Sequence, residues 1–180
     1  MSSKGTIAAV FGVGPGLGLS AARYLGSLGH HVALVSRNSD RLAQFTDQLG
    51  SDGIEATAFA GDITSFDGLD QVITAITSAL GQIDVALYQV AGPDPSVQSP
   101  LEITAETERP YIDQLLLAPL HAVHTLMAPM LERGAGTVLV TLGSSSLGPT
   151  PMMSQYDIPQ RYDLNLWIGH PLASATYLPR

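Results

Sequence analysis

IAAVFGVGPGLG, residues Ile7 to Gly18, reads as a buried strand, a tight glycine turn and the start of a helix. Ile7 to Phe11 form a short apolar run of the kind buried on both faces of a parallel sheet. Gly12, Gly14, Gly16 and Gly18 break that run, and Leu17, Ala21, Tyr24, Leu25 and Leu28 then recur at helical spacing. A helix leaving such a turn points unpaired N–H groups and the positive end of its dipole above the strand, where a phosphate or pyrophosphate fits. The spacing is G-x-x-x-G-x-G at Gly12, Gly16 and Gly18. It is not the commoner G-x-G-x-x-G, because the sixth position counted from Gly12 or Gly14 is Leu17 or Leu19. Glycines here permit a tight turn, close backbone approach to phosphate and close helix-to-strand packing. Pro15 stiffens the turn and has no N–H to compete. A glycine-rich turn without a ligand is the competing reading, and the strand–turn–helix context weighs against it.

Outward from this stretch the chain alternates strand and helix. Strands are expected at 31–35, 54–60, 83–91 and 137–142, and helices at 16–29, 40–49 and 66–80. A short helical piece is expected over 104–109. The longest helix then starts near Pro110, with Ile112, Leu116, Leu120, Val123, Met127 and Met130 as its buried stripe and Pro119 as a kink. This order implies a parallel sheet with helices on both faces and right-handed crossovers. Residues 1–148 therefore read as a dinucleotide-binding domain. Residues 149–180 hold five of the twelve prolines and no regular period, and Pro159 and Pro171 interrupt any long helix, so they read as an irregular tail of the same domain.

Bulk properties exclude several classes. The 180 residues suffice for one domain, with 45% hydrophobic and 13% charged residues. No stretch reaches about 18 continuous apolar residues, so a membrane span is not expected. The MSSKGT start lacks a basic-then-apolar leader pattern, and a cytoplasmic location is expected. The absence of cysteine excludes disulfides, thiolate metal sites and cysteine nucleophiles. A net charge of −8 without a basic run argues against nucleic acid. Lys4 is the only lysine, so no mechanism needing a lysine beyond the first strand is available.

Several residues fall where a dinucleotide fold makes its contacts. Ser36 and Arg37 follow the second strand, with no carboxylate until Asp40. An arginine there suits the 2′-phosphate of NADP, where an acidic residue would suit NAD. Such a contact contributes about 1.5–3 kcal/mol, roughly a 10- to 150-fold preference. Asp62 and Ile63 follow the third strand beside the adenine position, a turn aspartate being the alternative. Ala91 and Gly92 end the fourth strand, where small residues let backbone approach a ribose, or they form a plain turn. Ser144, Ser145 and Ser146 follow the fifth strand, where a hydroxyl could hold a carbonyl oxygen, or form a serine turn. His121 and His124 stand three apart on the long helix, but no carboxylate accompanies them on that face, so no metal site is expected. Asp84 reads as a strand-start residue.

In this order and spacing, residues 5–148 resemble the short-chain dehydrogenase/reductase family. The features that carry the resemblance are the G-x-x-x-G-x-G turn, Arg37, Asp62, Ala91-Gly92, the long helix with Pro129 near its end, and the serine-bearing turn. The resemblance implies a three-layer Rossmann-type doubly wound α/β sheet, of which about five strands are expected here, without the family's last two. It also implies an NAD(P) cofactor, hydride transfer between a carbonyl and an alcohol, and homo-oligomers packed partly through the long helix. The expected cofactor set is Gly12, Gly14, Gly16, Leu17, Gly18, Ser36, Arg37, Asp62, Ile63, Ala91 and Gly92, with NADP ahead of NAD.

The departures concern catalysis. Gln89-Val90-Ala91-Gly92 stands where the family has Asn-Asn-Ala-Gly, and the family's helical asparagine falls near Leu116. The family's Tyr-x-x-x-Lys is matched only by Tyr156-Asp157-Ile158-Pro159-Gln160. A tyrosine with an ordinary pKa of about 10 works near neutrality when a cation stabilises the phenolate, and three units require about 4 kcal/mol. Gln160 has no charge to offer, and Arg161 is the nearby cation. Ser145 and Tyr156 are the catalytic candidates, with Tyr156 weighed below an unspecialised role. The expected function is an NADP(H)-dependent oxidoreductase acting on a small carbonyl/alcohol pair with an incomplete catalytic set. The alternatives are an inactive NADP(H)-binding or interaction protein, or a truncated or frame-shifted family member.

Overall fold

A computed structural model describes residues 5–92, 99, 101–143, 146–147 and 154–168, without side chains for 154 and 163–168. Five strands form one parallel sheet: β1 (Ile7–Phe11), β2 (His31–Ser36), β3 (Ala56–Ala60), β4 (Ile83–Tyr88) and β5 (Thr137–Val140). Their order is β3-β2-β1-β4-β5, as a doubly wound sheet requires. The direction of winding reverses between β1 and β4, and ligands of such sheets bind at the strand ends beside that switch point.

Helices α1 (Leu17–Ser27), α2 (Ser39–Ser51) and α3 (Phe66–Ala79) join the first four strands. Every residue of β1 is buried, because it is the central strand with helices on both sides. Val10, Leu34 and Leu87 point to the face shared with Leu19, Ala22, Leu42 and Phe45 of α1 and α2. Ala9, Phe11, Val35 and Tyr88 alternate to the other face, against Leu69, Val72 and Ile76 of α3 and Ala122, Leu126 and Met130. Each large apolar side chain buried this way contributes about 1.5–3 kcal/mol.

The chain divides into two compact units, Met1–Ala91 with His121–Thr141, and Gly92–Leu120 with Leu142–Arg180. The whole sheet lies in the first.

Two expectations about proline are corrected. The helical piece expected over 104–109 is present, but no new helix begins at Pro110: α4 (Ala105–Ile112) runs through it, starting where Thr104 and Thr107 form a capping box in which the Thr107 N–H donates to Thr104 Oγ1 at 3.2 Å. A π-helical stretch, Asp113–Leu117, then leads into α5 (Ala118–Arg133). Pro119 has no N–H for the carbonyl of Leu115, and the wider π turn directly before it absorbs that missing bond. The run Ala105–Arg133 is long and apolar enough to cross a membrane by length and composition alone, and Ala122, Leu126 and Met130 place part of it in the core beside the sheet.

The second correction concerns the tail. Ser154–Ile168 forms helix α6 straight through Pro159, which is fully buried. Burial of Gln155, Pro159 and Gln160 on one side of this helix outweighs the missing proline donor. Pro171 lies outside the described residues.

Glu108 of α4 is 9% exposed, and among the described residues neither carboxylate oxygen has a hydrogen-bond partner. Burial pushes its pKa up. A carboxyl raised above its unfolded value binds more protons when folded. Its neutral form favours the fold below the ordinary carboxyl range, and stability declines as pH rises from there towards the folded value. Glu108→Leu is therefore expected to stabilise the protein at neutral pH by about 1–3 kcal/mol. Urea midpoints across pH check this: the gain should vanish at acid pH, and a loss of stability at neutral pH would contradict it.

Candidate functional site

The glycines of the first turn separate into two kinds. Gly12 has φ +88°, and a Cβ there would penetrate the carbonyl oxygen of Gln89. The N–H groups of Gly12 and Val13 both donate to the Val35 carbonyl at 2.9 Å, which ties the turn to the end of β2. A Cβ at Gly18 would lie 2.9 Å from Val13 Cα, so α1 could not pack as closely on the strand. Gly14 and Gly16 face open space instead. The first pair serves the fold, and the second leaves room for an approaching group.

The helix start after Gly16 differs from the others beside the sheet. Asn38 caps α2 and Ser65 caps α3, and their first turns carry Asp40 and Asp67. The start of α1 has no side-chain cap and no acidic residue. The Leu19 and Ser20 N–H groups donate to the Gly14 and Gly16 carbonyls at 3.0 and 3.1 Å, the Leu17 and Gly18 N–H groups ahead of them are open to a ligand, and no first-turn carboxylate repels an anion there.

The ends of β2 and β3 supply the rim. Arg37 is exposed and forms no ion pair among the described residues. Asp62 Oδ1 accepts the Thr64 hydroxyl at 2.7 Å and the Thr64 N–H at 3.0 Å. These bonds hold its carboxyl below the usual range, and the charge of Arg37 lowers it further. Asp62 thus organises its own turn, as the turn-aspartate alternative expects, with Arg37 close enough to act on it. The Tyr88 hydroxyl donates to the Ile63 carbonyl at 2.9 Å and pins that turn to the end of β4. Sequence reasoning missed Tyr88, which reads simply as a core aromatic. Gln89 Oε1, at the same strand end, is buried without a hydrogen-bond partner among the described residues. An open glycine turn, an unpaired arginine and an unsatisfied acceptor fit a dinucleotide phosphate–ribose chain.

In the second unit, Tyr156 belongs to α6 and meets Tyr111 edge-on, with ring centroids 5.2 Å apart at 74°. A Cβ on Gly92 would lie 2.9 Å from Tyr156 Cε1 and 3.0 Å from Leu115 Cδ1, so only glycine lets this ring approach the backbone so closely. Leu115 and Leu116 lie in the π-helical stretch, where the resemblance places an asparagine. Gln160 is buried and its Oε1 accepts the Gly143 N–H at 3.1 Å. The Gly143 carbonyl accepts from the Ser146 N–H at 3.1 Å and the Ser146 hydroxyl at 2.7 Å. Arg161 donates to the Leu147 carbonyl at 3.3 Å. Ser144 and Ser145 lie outside the described residues.

The remaining candidates are structural. His121 Nε2 lies 2.9 Å from Asp70 Oδ1 and its ring stacks on Phe66, so the acid missing from its own helix face comes from α3. Among the described residues no group of three or more His, Asp or Glu is placed to hold a metal. Asp84 Oδ2 accepts the Ile7 N–H at 2.8 Å and so joins β4 to the start of β1.

Comparison with known proteins identifies the family and the fold. The family model described as short chain dehydrogenase matches residues 6–157. The 2,3-dihydro-2,3-dihydroxybenzoate dehydrogenase of Bacillus subtilis (strain 168) is 29% identical over 157 residues, which span 85% of this chain and 58% of that protein. The chain spans about half the length of the curated relatives it matches. Among solved structures, an F189W actinorhodin polyketide ketoreductase with NADPH shares the fold at a TM-score of 0.83 and 22% identity, over 93% of this chain and 64% of that one. L-Sorbose reductase from Gluconobacter frateurii, complexed with NADPH and L-sorbose, does so at 0.81 and 24%, over 93% and 63%.

Proposed function

Because the chain belongs to the short-chain dehydrogenase family, we propose that it binds NADP(H) at the Gly12–Gly18 turn and serves hydride transfer between a small carbonyl compound and its alcohol. The observation that carries this reading is the start of α1, uncapped, free of carboxylate and fronted by the open space at Gly14 and Gly16. The N–H groups of Leu17 and Gly18 bind the diphosphate. Ser36 and Arg37 take the 2′-phosphate, Asp62 and Ile63 flank the adenine, and Ala91 borders a ribose. Gln89 Oε1 accepts a ribose hydroxyl, which satisfies its buried oxygen. The bound cofactor supplies or takes up the hydride. Ser145 holds the carbonyl oxygen, and the Tyr156 hydroxyl passes it a proton. The NADPH in the ketoreductase and sorbose reductase structures supports the choice of cofactor class.

One observation favours a second reading, an NADP(H)-binding protein without turnover: Gln160, four residues after Tyr156, is uncharged and engaged with Gly143. Fluorescence titration with NADPH and NADH tests the shared premise. Saturable NADPH binding with weaker NADH binding is expected, and the absence of both would sink the two readings together. A panel of ketones and aldehydes, followed by loss of reduced-cofactor absorbance, separates them. Turnover removed by Ser145→Ala rejects the non-catalytic reading.

A further inference from the structure

Gln160 occupies the position where a lysine would make the catalytic set complete, and its surroundings show a different use for that position. Its side chain is buried, with the residue 8% exposed. A carboxamide enters such a place at lower desolvation cost than an ammonium group, and it brings an acceptor that lysine lacks. That acceptor, Oε1, takes the Gly143 N–H at 3.1 Å. The fit is steric as well. A Cβ on Gly143 would stand 2.7 Å from Gln160 Oε1 and 3.3 Å from Nε2, so the carboxamide rests directly against the glycine α-carbon. The other end of the same residue is also held, since the Gly143 carbonyl takes both the N–H and the hydroxyl of Ser146.

We propose that Gln160 is a positioning residue, an α6 anchor that fixes the backbone at Gly143, the residue whose carbonyl holds Ser146. The proposal rests on the oxidoreductase reading for its consequence, because Ser145, assigned there to the carbonyl oxygen, follows Gly143 by two residues in the sequence. It gives residue 160 a role that owes nothing to charge. A lysine at 160 would turn an ammonium donor on an amide donor and break the anchor. The two ideas about this position, a lost cation and a backbone anchor, therefore predict opposite signs for Gln160→Lys.

The test uses the full chain in three variants. Gln160→Glu keeps an acceptor at the same reach, while Gln160→Leu and Gln160→Lys remove it. Amide exchange at Gly143, followed by NMR, is expected to be slow in the wild type and Gln160→Glu and faster in the other two. With the carbonyl substrate found in the panel, kcat is expected to fall about 10- to 100-fold in Gln160→Leu and Gln160→Lys, with KM for NADPH unchanged, and to be largely kept in Gln160→Glu. Should the leucine variant not fold, Gly143→Ala displaces the carboxamide sterically and is expected to give the same loss of kcat. A rise in kcat for Gln160→Lys overturns the proposal, as does unchanged Gly143 exchange in Gln160→Leu. If the wild type turns over no substrate, the oxidoreductase reading fails, while Gly143 exchange still decides the anchor.

Discussion

Gly12→Ala is expected to lower the free energy of unfolding by about 2–5 kcal/mol, against a typical total of about 5–15 kcal/mol. Two costs add. Gly12 has φ +88°, a conformation that an L side chain adopts only at a penalty. The new methyl group would also be driven into the Gln89 carbonyl, which is backbone at the end of β4 and is held there by the Gln89 N–H bond to Phe11 at 2.9 Å. Relief would need β1 and β4 to part at the centre of the sheet. Gly14→Ala is the matched control. Its added methyl meets nothing within 4 Å, so the urea midpoint should barely move. It occupies space assigned to the diphosphate, so NADPH affinity should fall about tenfold or more, the scale of one lost charge-assisted hydrogen bond. Equal stability losses in both variants would mean that the two glycines do not divide the work as described. A Gly14→Ala protein with undiminished affinity would remove the diphosphate from this turn.

The parts of this molecule that were legible in the sequence are those governed by local rules. Ile7 to Phe11 announced a central strand because burial on both faces demands an unbroken apolar run, and every one of those residues is buried. The glycines of the turn announced both close packing and phosphate approach without dividing the two, and it is Gly12 and Gly18 that are crowded while Gly14 and Gly16 are open. The illegible parts are tertiary. Pro110 and Pro159 are local helix breakers, yet α4 and α6 run through both, because a capping box and a buried helix side outweigh one missing donor. The start of α4 near Thr104 was legible, and only its continuation through Pro110 was not. Asp70 could not be paired with His121 across 51 residues without knowing that α3 and α5 are neighbours. Gln160 read as the loss of a lysine because a motif records which residue is missing, whereas the bond to Gly143 depends on where α6 packs.

Arg37→Asp is expected to reverse the cofactor preference. With Arg37 in place, the proposed charge-assisted contact to the 2′-phosphate is expected to favour NADPH by about 1.5–3 kcal/mol, roughly 10- to 150-fold. The guanidinium is exposed and free of ion pairs among the described residues, so no internal partner competes for it and none is orphaned by its removal. Arg37→Ala should therefore cost NADPH affinity alone, leaving NADH affinity unchanged and stability within about 0.5 kcal/mol of the wild type. Aspartate goes further, because it repels the 2′-phosphate and offers an acceptor to the 2′-hydroxyl of NADH. It also changes the field on Asp62. That carboxyl loses the contribution of Arg37 but keeps its two bonds from Thr64, so the turn after β3 should hold. An exposed contact is screened by salt, so the wild-type preference for NADPH should shrink as ionic strength rises, and the part of the Arg37→Asp preference that comes from repulsion of the 2′-phosphate should shrink with it. Titrations of both cofactors against all three proteins at two salt concentrations measure each contribution. Unchanged NADPH affinity in Arg37→Ala would place the 2′-phosphate elsewhere, and equal losses for both cofactors would assign Arg37 to a group they share.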